Sequence, residues 1–164
     1  MTRTILDHVF DHESNRSDQV FLSQPVGGGR VIDYTWAQIV DQSRRMARHL
    51  QSFNLPPGAR IAMLSKNCTH FIMAELAIWM AGGTTVAIFP TETAEIIRFV
   101  LQDSGASLLF VGKLDTWPQQ RSGVPEDMRC IALPLAPTTP FDNWDAFVAA
   151  TEPLAGPPAP ARTP

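Results

Sequence analysis

Between Arg60 and Val111, short apolar runs alternate with stretches of helical period. The runs are Arg60-Ile-Ala-Met-Leu64, Thr85-Val-Ala-Ile-Phe89 and Leu108-Leu-Phe-Val111, rich in branched or aromatic side chains and bounded by Gly, Pro, Ser or Asn. Continuous apolar runs of this length predict parallel strands buried on both faces. Helix-length segments lie between them, Thr69 to Met80 and Thr93 to Asp103, and a weaker run, Arg129-Cys-Ile-Ala-Leu133, follows. Strand centres recur roughly every 22 to 25 residues, the length of a compact βαβ crossover.

Upstream the period changes. Val20-Phe-Leu-Ser23 and Val31-Ile-Asp-Tyr34 flank Pro25-Val-Gly-Gly-Gly29, which predicts a β-hairpin closed by a glycine turn. Thr35 then caps a helix from Trp36 to about Leu50, with Trp36, Ile39, Val40, Met46, Ala47 and Leu50 on one face. Asn54-Leu-Pro-Pro-Gly58 stops that helix. The expected fold class is therefore α/β: a mainly parallel sheet flanked by helices, built from βαβ repeats and preceded by an N-terminal β-hairpin. Hairpin and helix occupy residues 18–53 and the βαβ core residues 59–133 of an α/β unit spanning 1–150.

Beyond Pro134 prolines accumulate, apart from a short amphipathic pattern at Trp144, Phe147 and Val148. Residues 151–164 read as a Pro-rich linker or a truncated tail, because proline lacks the amide donor and fixes φ. A linker of this kind is expected to lead into further sequence.

Composition narrows the function classes. The chain has 164 residues, 45% of them hydrophobic, and a net charge of -3. Without a basic surplus to neutralise phosphates, a general nucleic-acid role is disfavoured. The apolar stretch Phe71 to Phe89 is interrupted by Glu75, Gly82, Gly83, Thr84 and Thr85, so it reads as a buried helix and a strand rather than a membrane span. The first ten residues include Asp7 and His8 where a signal peptide would need an unbroken apolar run. Cys68 and Cys130 share no metal-type spacing and read as free thiols.

The search for chemistry is mostly negative. Ligands of open α/β sheets collect beyond the carboxyl ends of the strands. Here those ends are Ser65-Lys66-Asn67, Pro90-Thr91-Glu92 and Gly112-Lys113. Their polar groups could meet a ligand; alternatively Ser65, Asn67 and Thr91 cap helices, and Lys66 and Lys113 are solvated charges. Gly27-Gly-Gly29 is followed by a strand, whereas a phosphate cradle needs a helix amino terminus. Gly112-Lys113 resembles the end of a Walker loop, but Ser107 stands where its first glycine belongs and Leu114 replaces the magnesium-binding hydroxyl. His8 and His12 are spaced i, i+4 with Asp11 and Glu13 nearby, so one helical turn could offer a metal two imidazoles; without a convergent third ligand they read as exposed helix residues. Trp79 and Met80 lie on an apolar helix, where core packing competes with a substrate box. No catalytic, cofactor-binding or metal residue is assigned.

The ordered pieces nevertheless resemble a known family. Tyr34-Thr-Trp-Ala-Gln-Ile39, Met46-Ala-Arg-His-Leu50, Pro57-Gly-Ala-Arg-Ile-Ala-Met-Leu64, Ser65-Lys-Asn67, Glu75-Leu-Ala-Ile-Trp-Met-Ala-Gly82, Val86-Ala-Ile-Phe-Pro-Thr91 and Leu108-Leu-Phe-Val-Gly-Lys113 are similar to the amino-terminal part of AMP-forming acyl-CoA synthetases, members of the adenylate-forming superfamily. The resemblance covers roughly Ile5 to Trp117, and Phe89-Pro-Thr91 is closest in kind to the long-chain fatty acyl branch.

The resemblance implies a partial N-terminal domain of the adenylate-forming fold. In such enzymes a carboxylate attacks the α-phosphate of ATP, and a thiol, usually that of CoA, captures the acyl group from the adenylate. ATP, Mg2+, CoA and a fatty acid or other carboxylic acid are thus implied for a parent synthetase, in the cytoplasm or peripherally on a membrane. The family's phosphate loop, aromatic-Thr-Glu motif, ribose-binding Asp and mobile-domain lysine have no counterpart in this sequence. Two expectations follow: an inactive scaffold that packs against the remainder of a synthetase, or a stand-alone ligand-binding or interaction module. The scaffold expectation includes an exposed apolar surface that self-association could cover.

Overall fold

The computed structural model describes residues 3–155. It opens with α1 (Ile5–Arg16), which places His8 and His12 on a helix as read, although sequence patterning gave that helix no bounds. Thr4 and Asp7 form a capping box at its start, and Leu6 and Val9 supply its buried face.

Strands β1 (Val20–Gly27) and β2 (Arg30–Thr35) form the expected antiparallel hairpin, longer than the apolar runs alone suggest. Gly28 and Gly29 both have positive φ, 60° and 73°, as a two-residue type I′ turn requires. Thr35 and Gln38 build a capping box for α2 (Trp36–Gln51), which buries Ile39, Val40, Met46, Ala47 and Leu50.

Next come β3 (Arg60–Leu64), α3 (Thr69–Met80), β4 (Thr84–Ile88), α4 (Ala94–Ser104) and β5 (Leu108–Val111). A short helix α5 (Trp117–Gln120), a 3-10 turn at Arg121–Gly123, β6 (Cys130–Ala132) and α6 (Trp144–Ala150) follow. The four later strands form one parallel sheet of order β4-β3-β5-β6. The architecture is α/β, as the alternating pattern implies.

Each face of the sheet has its own core. Ile61, Met63, Leu108, Phe110 and Ile131 meet α1, α2, α3 and α6 on one face. Ala62, Leu64, Leu109, Val111 and Ile88 meet Ile97 and Leu101 of α4 and Trp117 of α5 on the other. Met80 lies in the first core with Trp79 packed against it, so core packing accounts for both residues.

One strand departs from its expected burial. β3 and β5 are buried on both faces, but β4 is an edge strand with Thr84 and Ala87 exposed, and Phe89 beyond it is 75% exposed. An apolar run shows that a strand forms, whereas its place in the sheet depends on which strands pair with it. Residues 151–155 remain close to α2, with the Arg45 guanidinium donating to the Thr151 carbonyl and the Leu154 amide to the Arg44 carbonyl. The Pro-rich stretch from residue 156 lies outside the described residues.

Candidate functional site

The chain runs from β3 outward to β4 and then back across to β5, so the topological switch lies between β3 and β5. Ser65-Lys66 and Gly112-Lys113 meet at that point. Ser65, only 4% exposed, donates through Oγ to the Lys66 carbonyl at 2.7 Å and accepts the Lys113 amide at 3.0 Å. The Lys66 amide donates to the Lys113 carbonyl at 2.8 Å, and the Gly112 amide to the Leu64 carbonyl at 2.9 Å. The strand ends are stitched together where a ligand crevice would otherwise open.

Gly112 is a packing requirement. A Cβ there would lie 2.2 Å from Ser65 Oγ and 2.5 Å from Ser65 Cβ. The Lys66 ammonium pairs with Asp115, which fixes it at the rim. A hydroxyl with both hydrogen-bonding roles in use and an ion-paired lysine form a joint between two strands. They do not fit a nucleotide phosphate or its magnesium, which would need free donors or ionised oxygens directed into open space.

The carboxyl end of β4 is held from the side. Gln120, 2% exposed, donates Nε2 to the carbonyls of Pro90 and Glu92, at 2.8 and 3.0 Å. Gly123 lies under the first turn of α4, where a Cβ would come within 2.2 Å of the Ala94 carbonyl oxygen. Gln120 and Gly123 therefore set the path of the loop after β4. Neither has a signature in sequence, since they act on residues about 30 positions upstream through a contact that only folding creates.

The expected helix caps are corrected in detail. Thr93, not Thr91, caps α4 by accepting the Ile96 amide. Neither Ser65 nor Asn67 caps α3, whose N-cap residue Cys68 makes no side-chain cap bond. Gln24 of the hairpin supplies the missing acceptor, its Oε1 taking the Thr69 amide at 2.9 Å. A polar residue in β1 is thus buried to satisfy a helix end 45 residues later.

The four histidines divide by position. His8 is exposed on α1, and the His12 ring lies 4.8 Å from Trp36. Among the described residues no three His, Cys, Asp or Glu side chains converge as a metal would need. His49 and His70, which carry no sequence signal, are packed among aromatic rings. His49 stacks on Phe147 at 3.8 Å and meets the edge of Phe53. Burial and the nearby Arg129 lower its pKa, opposed by Asp142, and its Nε2 is buried without a partner. His70 stands edge-on between Tyr34 and Trp144, and burial pushes it down to about 4 against a weaker pull from Asp145.

Cys68 and Cys130 are free thiols. Burial pushes Cys130 up to about 12, so it is an inert packing residue and not a nucleophile. Hollows occur away from the β3–β5 junction. One of about 700 Å³ lies by the amino ends of β5 and β6, lined by Phe53, Leu55, Gly105 and Arg129 among others. Another of about 470 Å³ lies between α4 and the 138–141 segment, with Trp117 and Phe141 in its wall.

Comparison with known proteins places this architecture. Residues 9–161 match the family described as AMP-binding enzyme. The long-chain-fatty-acid–CoA ligase FadD15 of Mycobacterium bovis is 35% identical over 102 residues, covering 62% of this chain and 17% of that protein. The mitochondrial malonate–CoA ligase ACSF3 of Bos taurus is 28% identical over 140 residues, 76% of this chain and 23% of that protein. Among solved structures, a benzoate CoA ligase from Burkholderia xenovorans LB400 superposes with a TM-score of 0.77 at 19% identity, over 99% of this chain and 31% of its own. The anthranilate CoA ligase AuaEII, solved with anthranoyl-AMP, superposes with a TM-score of 0.79 at 15% identity over 96% of this chain and 30% of its own. The chain thus spans less than a third of these relatives, and it corresponds to the amino-terminal part of AMP-forming acyl-CoA synthetases. A family match across nearly the whole sequence, on a sheet of the same shape, establishes that this chain belongs to the AMP-binding enzyme family.

Proposed function

We propose that these residues form the amino-terminal wall of an AMP-forming acyl-CoA synthetase, in which they position and stiffen an active site built by other residues. The observation that carries this reading is the joint between β3 and β5. Ser65, Lys66, Gly112 and Lys113 occupy the usual ligand position of an α/β sheet, yet the Ser65 hydroxyl and the Lys66, Gly112 and Lys113 amides bond within the joint or to Leu64, and the Lys66 ammonium pairs with Asp115. Their role is to keep two strands in register.

In the synthetase reading, a carboxylic acid is activated as its acyl-adenylate and passed to the thiol of CoA. A fatty acid is the favoured substrate class, because the FadD15 relatives are described as long-chain-fatty-acid–CoA ligases. ATP and Mg2+ would be held outside these residues. The described residues contribute rigidity: two buried strands, zipped at their carboxyl ends, resist the displacements that would loosen a site built against them. No helix among the described residues is long and apolar enough to cross a membrane. A cytoplasmic setting, with peripheral membrane association for the whole synthetase, belongs to the same proposal.

Isothermal titration of this chain with ATP and magnesium, alongside a pyrophosphate-release assay over a panel of fatty acids, tests the scaffold role. The expected result is neither binding nor turnover by the chain alone. Saturable ATP binding that is lost in Ser65→Ala would overturn it and return the β3–β5 joint to the status of a ligand site.

A further inference from the structure

Helix α6 is docked onto two histidines. Trp144 and Phe147, three residues apart on one face of the helix, each lie against an imidazole from a different helix. Trp144, with no exposed surface, meets His70 of α3 nearly edge-on, the ring centroids 5.7 Å apart and the planes at 81°. Phe147 stacks on His49 of α2 at 3.8 Å and 24°. Both aromatic anchors of the helix therefore rest on side chains that change charge in mild acid.

Neither imidazole is placed to carry a second ring proton. His49 Nε2 is buried without a hydrogen-bond partner, so an N–H there would have no acceptor. Arg129, its guanidinium 3.9 Å from the centre of the Phe53 ring, opposes a charge on His49, and Asp142 only partly offsets it. His70 is 4% exposed and set between Tyr34 of β2 and Trp144. Asp145 of α6 faces both His70 and Tyr34 and favours a charged imidazole, but burial outweighs it. Docking therefore holds both histidines below their usual 6.5, His70 at about 4.

The remaining attachments of this segment are few. Trp144 Nε1 donates to Gln42 Oε1 at 3.0 Å and the Ala132 amide to the Asp142 carbonyl at 2.9 Å, while the Arg45 guanidinium and the Leu154 amide tie residues 151–154 to α2. Among the described residues no hydrogen bond joins 142–155 to β3, β4 or β5, so the segment can leave while those strands stay paired. We propose that α6 is an acid-released strap: proton uptake by His49 or His70 undocks residues 142–155 as a unit while the parallel sheet stays folded, opening the β6 edge that is closed at neutral pH. An undocked imidazole titrates near 6.5 and a docked one lower, so a proton favours release; the effect is absent at pH 7.5 and grows as pH falls below 6.5. The strap lies wholly within the described residues and acts whether or not a synthetase surrounds it.

The test is amide hydrogen exchange of the full chain from pH 7.5 to 4.5, with exposure times scaled for intrinsic exchange, alongside NMR titration of the His49 and His70 ring protons. Exchange in 142–155 is expected to rise at least about tenfold between pH 7.5 and 5, while the amides of β3 and β5 stay protected. His49 and His70 should take up their protons over that same interval. His49→Phe, which keeps a ring against Phe147 but binds no proton, and His70→Gln should each cut the rise at least about threefold. No rise, or a rise that neither variant reduces, overturns the proposal. So does loss of protection in 142–155, β3 and β5 together as one transition, which would make the acid effect global unfolding. Where a variant is unfolded at pH 7.5, the wild-type chain decides: ring titration outside the interval in which α6 opens overturns the strap as well.

Discussion

At the β6 edge of the sheet, Asp142 and Asn143 bond to the last strand and α6 lays a fully buried indole, Trp144, across the core beside His70 and Phe110. At the β4 edge, two outward-facing residues of the strand meet no partner strand among the described residues, and Phe89, Ile96 and Phe99 are exposed. Both strands are short, parallel and apolar. What differs is the sequence that follows each: the chain after β6 returns to cover it, whereas the chain after β4 leaves at once through α4. A sheet edge is therefore finished by whatever chain comes back to it, and the strand's own composition does not show which edge that will be.

The largest test of this contrast lies at the closed edge. Trp144→Ala removes a ring with no exposed surface and the hydrogen bond from its Nε1 to Gln42 Oε1, so urea unfolding should show a loss of about 3–5 kcal/mol. A loss below about 1 kcal/mol would mean that α6 does not close the sheet.

Acid should act on the same region. The His70 pKa is about 4 in the folded chain against 6.5 for the free side chain, so the unfolded state binds the proton first as pH falls. Its contribution to stability is complete above pH 6.5, declines between 6.5 and 4, and is flat below that. The depressed value could account for up to about 3 kcal/mol, with His49 acting in the same direction. Urea midpoints measured from pH 7.5 to 4 should fall, and His70→Gln should flatten the slope; equal slopes in the two proteins would remove His70 from the account.

Between the edges, Gly112→Ala drives a methyl group into Ser65 and should cost about 1–3 kcal/mol. The double variant Ser65→Gly, Gly112→Ala should recover part of that loss, and strict additivity would show that the two residues do not share the joint. The smallest effect belongs to the open edge. Phe99→Lys should change the stability of the chain by no more than about 0.5 kcal/mol, because its ring is already mostly in water. A thermal scan showing a large loss would indicate that the β4 side is closed by this chain after all.

Sequence patterning read β3, β5 and α3 to the residue, because a buried strand or helix must be apolar wherever it sits. It also read the hairpin and the Thr35 cap, which depend on turn and capping chemistry within a few residues. The bounds of the first helix went unread although Thr4-x-x-Asp7 is a local signal, since its buried face is only Leu6 and Val9. At the strand ends, patterning gathered the right segments but could not say whether Ser65 and Lys66 meet a ligand or each other's loop. Gln24 over Thr69, Gln120 under Pro90 and Gly123 against Ala94 had no readable sign, because each answers a partner remote in sequence.

By itself, then, the order of apolar runs and turns determined an α/β chain, since period and capping are local properties of the backbone, while the adenylate-forming kind came from the resemblance of its segments to a known family. Only the tertiary structure decided that β4 is an edge, that the β3–β5 joint is sealed by Ser65 and Gly112, and that α6 shields the far side. Those outcomes depend on which surfaces meet once the strands are ordered, and a strand carries no mark of its neighbour.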